Sequence, residues 1–254
     1  MPTLRALAAN LAFYLNTIVW GIACLPILIL PRDLTTKVIK GWARSSMWLI
    51  RWTAGIDWEV RGLENLPHKD GKMEGFILAA KHQSAWETFG LLPYLDDPAY
   101  VLKQELMHIP IYGWYAAHAD MIPVIRGNRS KALRKMTQAA KKAVGDGRQI
   151  IIFPEGTRRA VGEEPDYKIG VFHLYTSLQV PIVPVALNSG QFWPRRKFKR
   201  YPGTLIVSIL PPILPGLSSD EASTRLQNDV EQETNRLVEA ERLKRSGHIA
   251  DPSG

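Results

Sequence analysis

The chain predicts an α/β domain with a mixed, largely parallel sheet flanked by helices, preceded by an N-terminal membrane-associated helical hairpin. Three observations carry this reading. From Ile56 onward, short apolar β-like runs alternate with helical stretches, the pattern that places helices against a sheet. Before Ile56, two long apolar and aromatic helical stretches are joined by a short turn containing proline. The 254 residues, 46% hydrophobic and 22% charged, suit one large domain, or one domain with a small appendage. That balance excludes disorder and disfavours a polytopic membrane protein.

The elements follow in order. Leu11 to Leu30 reads LAFYLNTIVWGIACLPILIL, about the length that crosses a bilayer, although Asn16, Thr17 and Pro26 weaken it as a spanning helix. Arg5 ahead of this run makes a cleaved signal peptide the rival reading. No small-residue cleavage site ends the run before Pro31, so an uncleaved anchor is preferred. Thr36 to Thr53 interleaves Trp42, Trp48 and Trp52 with Lys37, Lys40, Arg44 and Arg51, as a helix at a lipid–water boundary requires. The alternative is that both helices pack on the domain that follows. Residues 1–55 are thus read as the hairpin, 56–246 as the α/β domain and 247–254 as a flexible tail.

Strands are expected at Asp57–Arg61, Gly75–Ala80, Ala99–Leu102, Met121–Ile125, Gln149–Phe153, Ile182–Leu187 and Leu205–Leu210. Helices are expected at Ser84–Leu95, in pieces over Glu105–Ala117, and at Ser130–Val144, Gly170–Leu178 and Ser219–Lys244. The last carries a thin apolar stripe of Leu226, Val230, Leu237 and Val238. Pro184 inside a strand implies an edge or a bulge, because proline cannot donate to a ladder.

The net charge of +8 favours an anionic partner: phosphate groups, anionic lipid, nucleic acid or an acidic carrier protein. A solvated basic surface is equally compatible with it. Cys24 is the single cysteine, which excludes an intrachain disulfide and a cysteine zinc site and fits a reducing compartment.

Two segments carry chemistry. His82 follows the apolar run GFILAA, and Glu87 lies five residues later in KHQSAWETF. Strand carboxyl ends open into the crevice where α/β sheets bind ligands. An imidazole beside a carboxylate can remove a hydroxyl proton while the carboxylate fixes its tautomer. Positions five apart in a helix point about 140° away from each other, so His82 must precede the helix and fold back. Ser84-Ala85-Trp86-Glu87 is also an S-x-x-E capping box, so Glu87 has a structural role open to it. The second segment, Phe153-Pro154-Glu155-Gly156-Thr157-Arg158, leaves another strand end. Its glycine permits close backbone approach, and Thr157 and Arg158 offer phosphate donors, though a plain turn would read the same. Lys103 and Arg126 each follow a short apolar strand and could converge on one anion, or be solvated surface charges.

In this order and spacing the pieces resemble the glycerolipid acyltransferase family, and within it the bacterial 1-acylglycerol-3-phosphate acyltransferases. The family's H-x4-D block corresponds to His82–Glu87, and its F-P-E-G-T-R/S block to Phe153–Arg158. Its arginine after an apolar strand corresponds to Arg126, and its V-P-I-V-P-V block to Val180–Val185. Lys103, Glu105, Leu106, Pro110 and Gly113 fit as well. Two departures stand out. Glu87 replaces the usual aspartate, and Ala119-Asp120 and Pro123 stand where glycine and phenylalanine are common.

The resemblance implies a general base at His82 oriented by Glu87, and an acceptor site shaped by Glu155, Gly156 and Thr157. It implies a phosphate held by Lys103, Arg126 and Arg158. Transfer would be direct, from an acyl-CoA or acyl carrier protein thioester to a lysophospholipid hydroxyl, with no resident cofactor or metal. No G-x-S-x-G elbow is present. The implied location is the bacterial inner membrane, with the catalytic domain facing the cytoplasm. The basic run Pro194–Arg200 could dock an acidic carrier or anionic lipid. Another acceptor, such as glycerol-3-phosphate or lyso-ornithine lipid, stays open. A non-catalytic protein binding membrane or nucleic acid is disfavoured by the His–carboxylate pair.

Overall fold

The apolar N-terminal run does not continue as one α-helix, because Pro26 interrupts it. The computed structural model describes residues 2–125 and 129–247. In it, α1 (Pro2–Ala23) ends ahead of a 3-10 turn over Leu25–Ile29, and α2 (Arg32–Ala54) returns antiparallel alongside. Pro31 precedes α2, and Gly55, at φ 71°, ends it in the left-handed conformation that glycine adopts without a Cβ penalty. The polar residues that weakened the apolar run join the two helices. Asn16 donates to Ser45 and Ser46 at 3.0 and 2.9 Å, and Trp42 Nε1 donates to Thr17 Oγ1 at 3.1 Å.

The two helices differ in what they bury. Over Leu4–Ala23, α1 is long and apolar enough to cross a membrane, and its outer face leaves Leu4, Leu7, Leu11, Leu15 and Val19 exposed. By contrast, α2 buries Ala43, Met47, Ile50 and Ala54 in one core with the sheet residues Leu78, Val183, Val185 and Leu205. The hairpin therefore shares its interior with the α/β unit that follows it.

The chain then forms β1 (Ile56–Arg61), a small antiparallel pair β2 (His68–Lys69) and β3 (Lys72–Met73), and β4 (Ile77–Ala80). After α3 (Glu87–Gly90) come β5 (Pro98–Lys103), α4 (Tyr112–His118), β6 (Ile122–Val124), α5 (Arg129–Gly145) and β7 (Gln149–Ile152). The chain closes with α6 (Gly170–Leu178), β8 (Ile182–Leu187), β9 (Gly203–Ile209) and α7 (Ser219–Arg245). The seven-stranded sheet has the order β1-β9-β8-β4-β7-β5-β6. All neighbours are parallel except β8 and β9, so β4 to β8 all point their carboxyl ends to one edge. Side chains alternate across it. Leu78 and Ile151 join the core under α2, whereas Ile77, Ala79, Ile150 and Ile152 join the opposite core under α5, α6 and α7. The stripe expected on the last helix is buried, with Leu226, Val230, Leu237 and Val238 at 5% exposure or less, the first two of them in this second core.

One expectation is corrected, and the choice left open at Pro184 falls to the bulge. The helix expected over Ser84–Leu95 contracts to α3 and a 3-10 turn at Leu92–Tyr94. Pro93 disfavours α-helical geometry at the residue before it, and the Gln83 and Ser84 N–H groups are taken by the Glu87 carboxylate. Nor is Pro184 on an edge strand, since β8 lies between β9 and β4. A bulge accommodates it: Val185 pairs with Ile209, but Ile182 pairs with Ile213, so the segment after β9 holds one extra residue. That segment contains Pro211 and Pro212, and the Pro184 carbonyl still accepts from Leu210 N at 2.9 Å.

Candidate active site

At the shared carboxyl edge, β4 delivers Lys81 and His82, β7 delivers Phe153–Arg158 beside them, and β8 delivers Asn188 and Ser189 on the other flank. His82 is held at three points. Its Nδ1 lies 3.0 Å from Glu87 Oε1, its backbone N–H donates to Glu155 Oε2 at 3.2 Å, and its carbonyl accepts from Arg159 N at 2.7 Å. The ring stacks on Phe153 with centroids 4.0 Å apart and planes 15° from parallel. With Nδ1 donating to the carboxylate, neutral imidazole presents Nε2 as the acceptor. Nε2 has no protein partner among the described residues, and the side chain is 12% exposed. An imidazole nitrogen left without a protein partner, on a side chain that still reaches solvent, is what general-base chemistry needs.

Glu87 performs both roles that its spacing left open. Besides His82, its Oε1 accepts from the backbone N–H groups of Gln83 and Ser84, each at 2.6 Å, and Oε2 accepts from Ser189 Oγ at 2.8 Å. The carboxylate therefore closes the turn into α3 and orients the imidazole at once. Ser189 was not legible as a partner in sequence. Its only signal is a polar pair, Asn188-Ser189, following the buried strand β8. Tyr100 is a further addition: its hydroxyl donates to the Glu87 carbonyl at 3.2 Å and its ring stacks on Phe153. Burial pushes the Tyr100 hydroxyl well above its ordinary range, so it stays a neutral donor.

Glu155, expected to shape an acceptor site, spends both oxygens on the protein. Oε1 accepts from Lys81 Nζ at 2.9 Å and Oε2 from the His82 N–H. Burial pushes its carboxyl up, against the opposing pull of the Lys81 ammonium. Gly156 sits at φ 63°, and a Cβ there would meet only Lys168 Cγ at 3.8 Å. Conformation rather than crowding calls for glycine at that turn. Thr157 and Arg158 follow, both half-buried, and Lys103 ends β5, separated from β4 by β7. The Lys103 and Arg158 side chains have no hydrogen-bond or ion-pair partner among the described residues, whereas Arg159 is tied to Glu163 and Asp166. Arg126 lies outside the described residues, as does the tail beyond 247.

An apolar cavity of about 380 Å³ adjoins this edge, between the hairpin and α4. Ile18, Gly21 and Trp42 line it from the hairpin, Ile111 from the turn before α4, and Thr88 and Tyr100 from the side of the His82 cluster.

The Acyltransferase family profile matches residues 57–188. A Pseudomonas aeruginosa protein named 1-acyl-sn-glycerol-3-phosphate acyltransferase is 37% identical over 216 residues, covering 83% of this chain and 82% of its own. A mouse protein named 1-acyl-sn-glycerol-3-phosphate acyltransferase alpha is 31% identical over 171 residues, covering 66% of this chain and 59% of its own. The crystal structure of the 1-acyl-sn-glycerophosphate (LPA) acyltransferase PlsC from Thermotoga maritima superposes with a TM-score of 0.76. It is 27% identical, and the match covers 93% of this chain and 98% of that one. The His82–Glu87 pair and the Phe153–Arg158 turn thus lie within a chain that belongs to the acyltransferase family.

Proposed function

We propose that this acyltransferase moves a fatty acyl group from an acyl-CoA or acyl carrier protein thioester to the sn-2 hydroxyl of lysophosphatidic acid, making phosphatidic acid. The observation that carries the reading is the His82 imidazole, held through Nδ1 at 3.0 Å by a buried carboxylate, with Nε2 left without a protein partner among the described residues. His82 Nε2 takes the acceptor hydroxyl proton as that oxygen attacks the thioester carbonyl. Glu87 stabilises the imidazolium that forms, and the thiol leaves with a proton returned from it. Lys103 and Arg158, neither with a protein partner among the described residues, are the cations offered to the acceptor phosphate, with Arg126 as the third. The apolar cavity beside Thr88 and Tyr100 has the chemistry and size of a hydrocarbon site.

The reading also places the protein at the bacterial inner membrane with its catalytic edge on the cytoplasmic side. The exposed apolar face of α1 supports membrane association, and the bacterial relative supports the setting. The test uses purified protein with lysophosphatidic acid, other lysolipids and glycerol-3-phosphate, each with both thioester donors, and products identified by mass. Phosphatidic acid as the dominant product is expected. His82→Ala should lower turnover by about 10²- to 10⁴-fold while the chain stays folded. A His82→Ala variant with near-normal turnover would remove the general base.

A further inference from the structure

Lys81 precedes His82 and is 3% exposed, yet it contacts neither the crevice nor the apolar cavity. Its ammonium sits between two carboxylates from distant parts of the chain, Glu155 Oε1 at 2.9 Å and Glu231 Oε1 at 2.7 Å. Glu231 belongs to α7 and also accepts from the Tyr167 hydroxyl at 3.1 Å. A polar cavity of about 250 Å³ lies between α7 and the loop carrying Ala160–Pro165, with Lys81, Gln83 and Glu231 in its wall. The ion pair is therefore the direct bridge from α7 to the end of β4 at this point.

Burying Lys81 and Glu155 against a partly exposed Glu231 is a poor way to gain stability, since well-packed apolar side chains of similar volume often do as well or better. What the arrangement does achieve is directional. Glu155 uses its other oxygen on the His82 N–H, so the line Glu231–Lys81–Glu155 ends on the backbone of the residue bearing the imidazole.

We infer that Lys81 and Glu231 are positioning residues, through which α7 holds Glu155 against the His82 backbone and so fixes the imidazole for proton removal. This rests on the general-base reading of His82. The Lys81 ammonium opposes the burial that pushes the Glu155 carboxyl up, and holds Oε1 in place while Oε2 accepts from the His82 N–H. Removing the Glu231 charge loosens Lys81 and relaxes the grip of Glu155. The imidazole then drifts within its pocket without touching either substrate site. A small misplacement of a reacting group costs up to about 10²-fold, and it falls on kcat because no ground-state contact is lost.

The experiment is two-substrate kinetics on the full chain in lipid nanodiscs, with lysophosphatidic acid and the thioester the protein uses, per folded molecule. Glu231→Gln should lower kcat by about 10- to 100-fold and move either KM by less than about 2-fold. In a Glu155→Ala background, where the line is already cut, Glu231→Gln should change kcat by less than about 2-fold. In Glu231→Gln alone, the His82 amide proton should shift upfield as its bond to Glu155 weakens. This readout stands if Glu155→Ala does not fold. An unchanged kcat, equal losses in both backgrounds, a loss confined to KM, or an unmoved His82 amide each overturns the assignment. His82→Ala, assayed beside them, separates the two readings. If it is inactive while Glu231→Gln is fully active, only the positioning role fails.

Discussion

Glu87 shows how one side chain resolves two readings that its spacing cannot. The carboxylate that caps the turn into α3 is the same group that bonds His82 Nδ1, because its two oxygens offer separate lone pairs to four donors. Glu87→Gln keeps an acceptor for the Gln83 and Ser84 N–H groups, and its amide can donate to Ser189 Oγ, but it removes the charge that stabilises imidazolium. Turnover should fall by about 10²-fold or more while the melting temperature stays nearly constant. If stability falls and activity per folded molecule does not, Glu87 is only a cap. His82, Glu87 and the Phe153–Arg158 turn were legible because each is a chemically marked residue beside an apolar strand. Ser189 and Glu231 were not, because a serine after a strand and a glutamate on a polar helix are common. Only the sheet order and the packing of α7 bring them to His82.

At the level of elements, α2 is both the second arm of the hairpin and a core helix. Removing α1 (residues 1–23) should release the protein from membranes at only a modest cost in stability, since Ala9 and the Phe13 packing are its share of the core. Removal through residue 54 should instead destabilise it, because Ala43, Met47, Ile50 and Ala54 leave the core. Burying a side chain the size of Met47 or Ile50 contributes about 1.5–3 kcal/mol. Fractionation of the two truncations and their melting curves separate the outcomes; equal stability would contradict the shared core. The start of α2 adds a pH dependence. Burial pushes the Asp97 carboxyl up, but the two-pronged hydrogen bond from Arg32, at 3.0 and 2.7 Å, and the charge of Arg148 outweigh it and hold the group below its ordinary 3.8. A depressed folded value means stability that is present above the unfolded value and lost as pH falls through the folded one. Asp97→Asn should cost about 1.5–3 kcal/mol at neutral pH. It should also flatten the loss of stability below pH about 4 in denaturant melts; an unchanged acid limb would mean that Asp97 does not contribute.

For the molecule as a whole, five parallel strands ending on one edge put the cations of separate segments on the side of the imidazole. Arg158 is suited to grip a phosphate with two N–H groups, where lysine offers a point charge. If it holds the acceptor phosphate in both ground and transition states, Arg158→Lys should raise the acceptor KM more than it lowers kcat. Losing such a contact, worth roughly 1.5–3 kcal/mol, should cost about 10- to 150-fold in kcat/KM. The KM for the thioester should change little. Two-substrate kinetics with lysophosphatidic acid and a neutral monoacylglycerol are the check, and equal losses with both acceptors would make Arg158 structural.

The sequence alone determined what periodicity and local chemistry encode: the alternation of strands and helices, the apolar hairpin, and the two motif-bearing turns at strand ends. It did not determine the strand order, because the pairing of Ile77 with both Ile150 and Ile182 joins segments far apart in the chain. For the same reason it could not place Pro184 in a central strand, where the bulge across Leu210–Ile213 relieves the missing donor. Tertiary structure alone decided that Asn16 and Thr17 join two helices instead of weakening one. It alone turned both Glu155 oxygens toward Lys81 and His82. Side-chain partners are chosen by what the fold brings within about 3 Å, and a linear pattern records residue types but not those encounters.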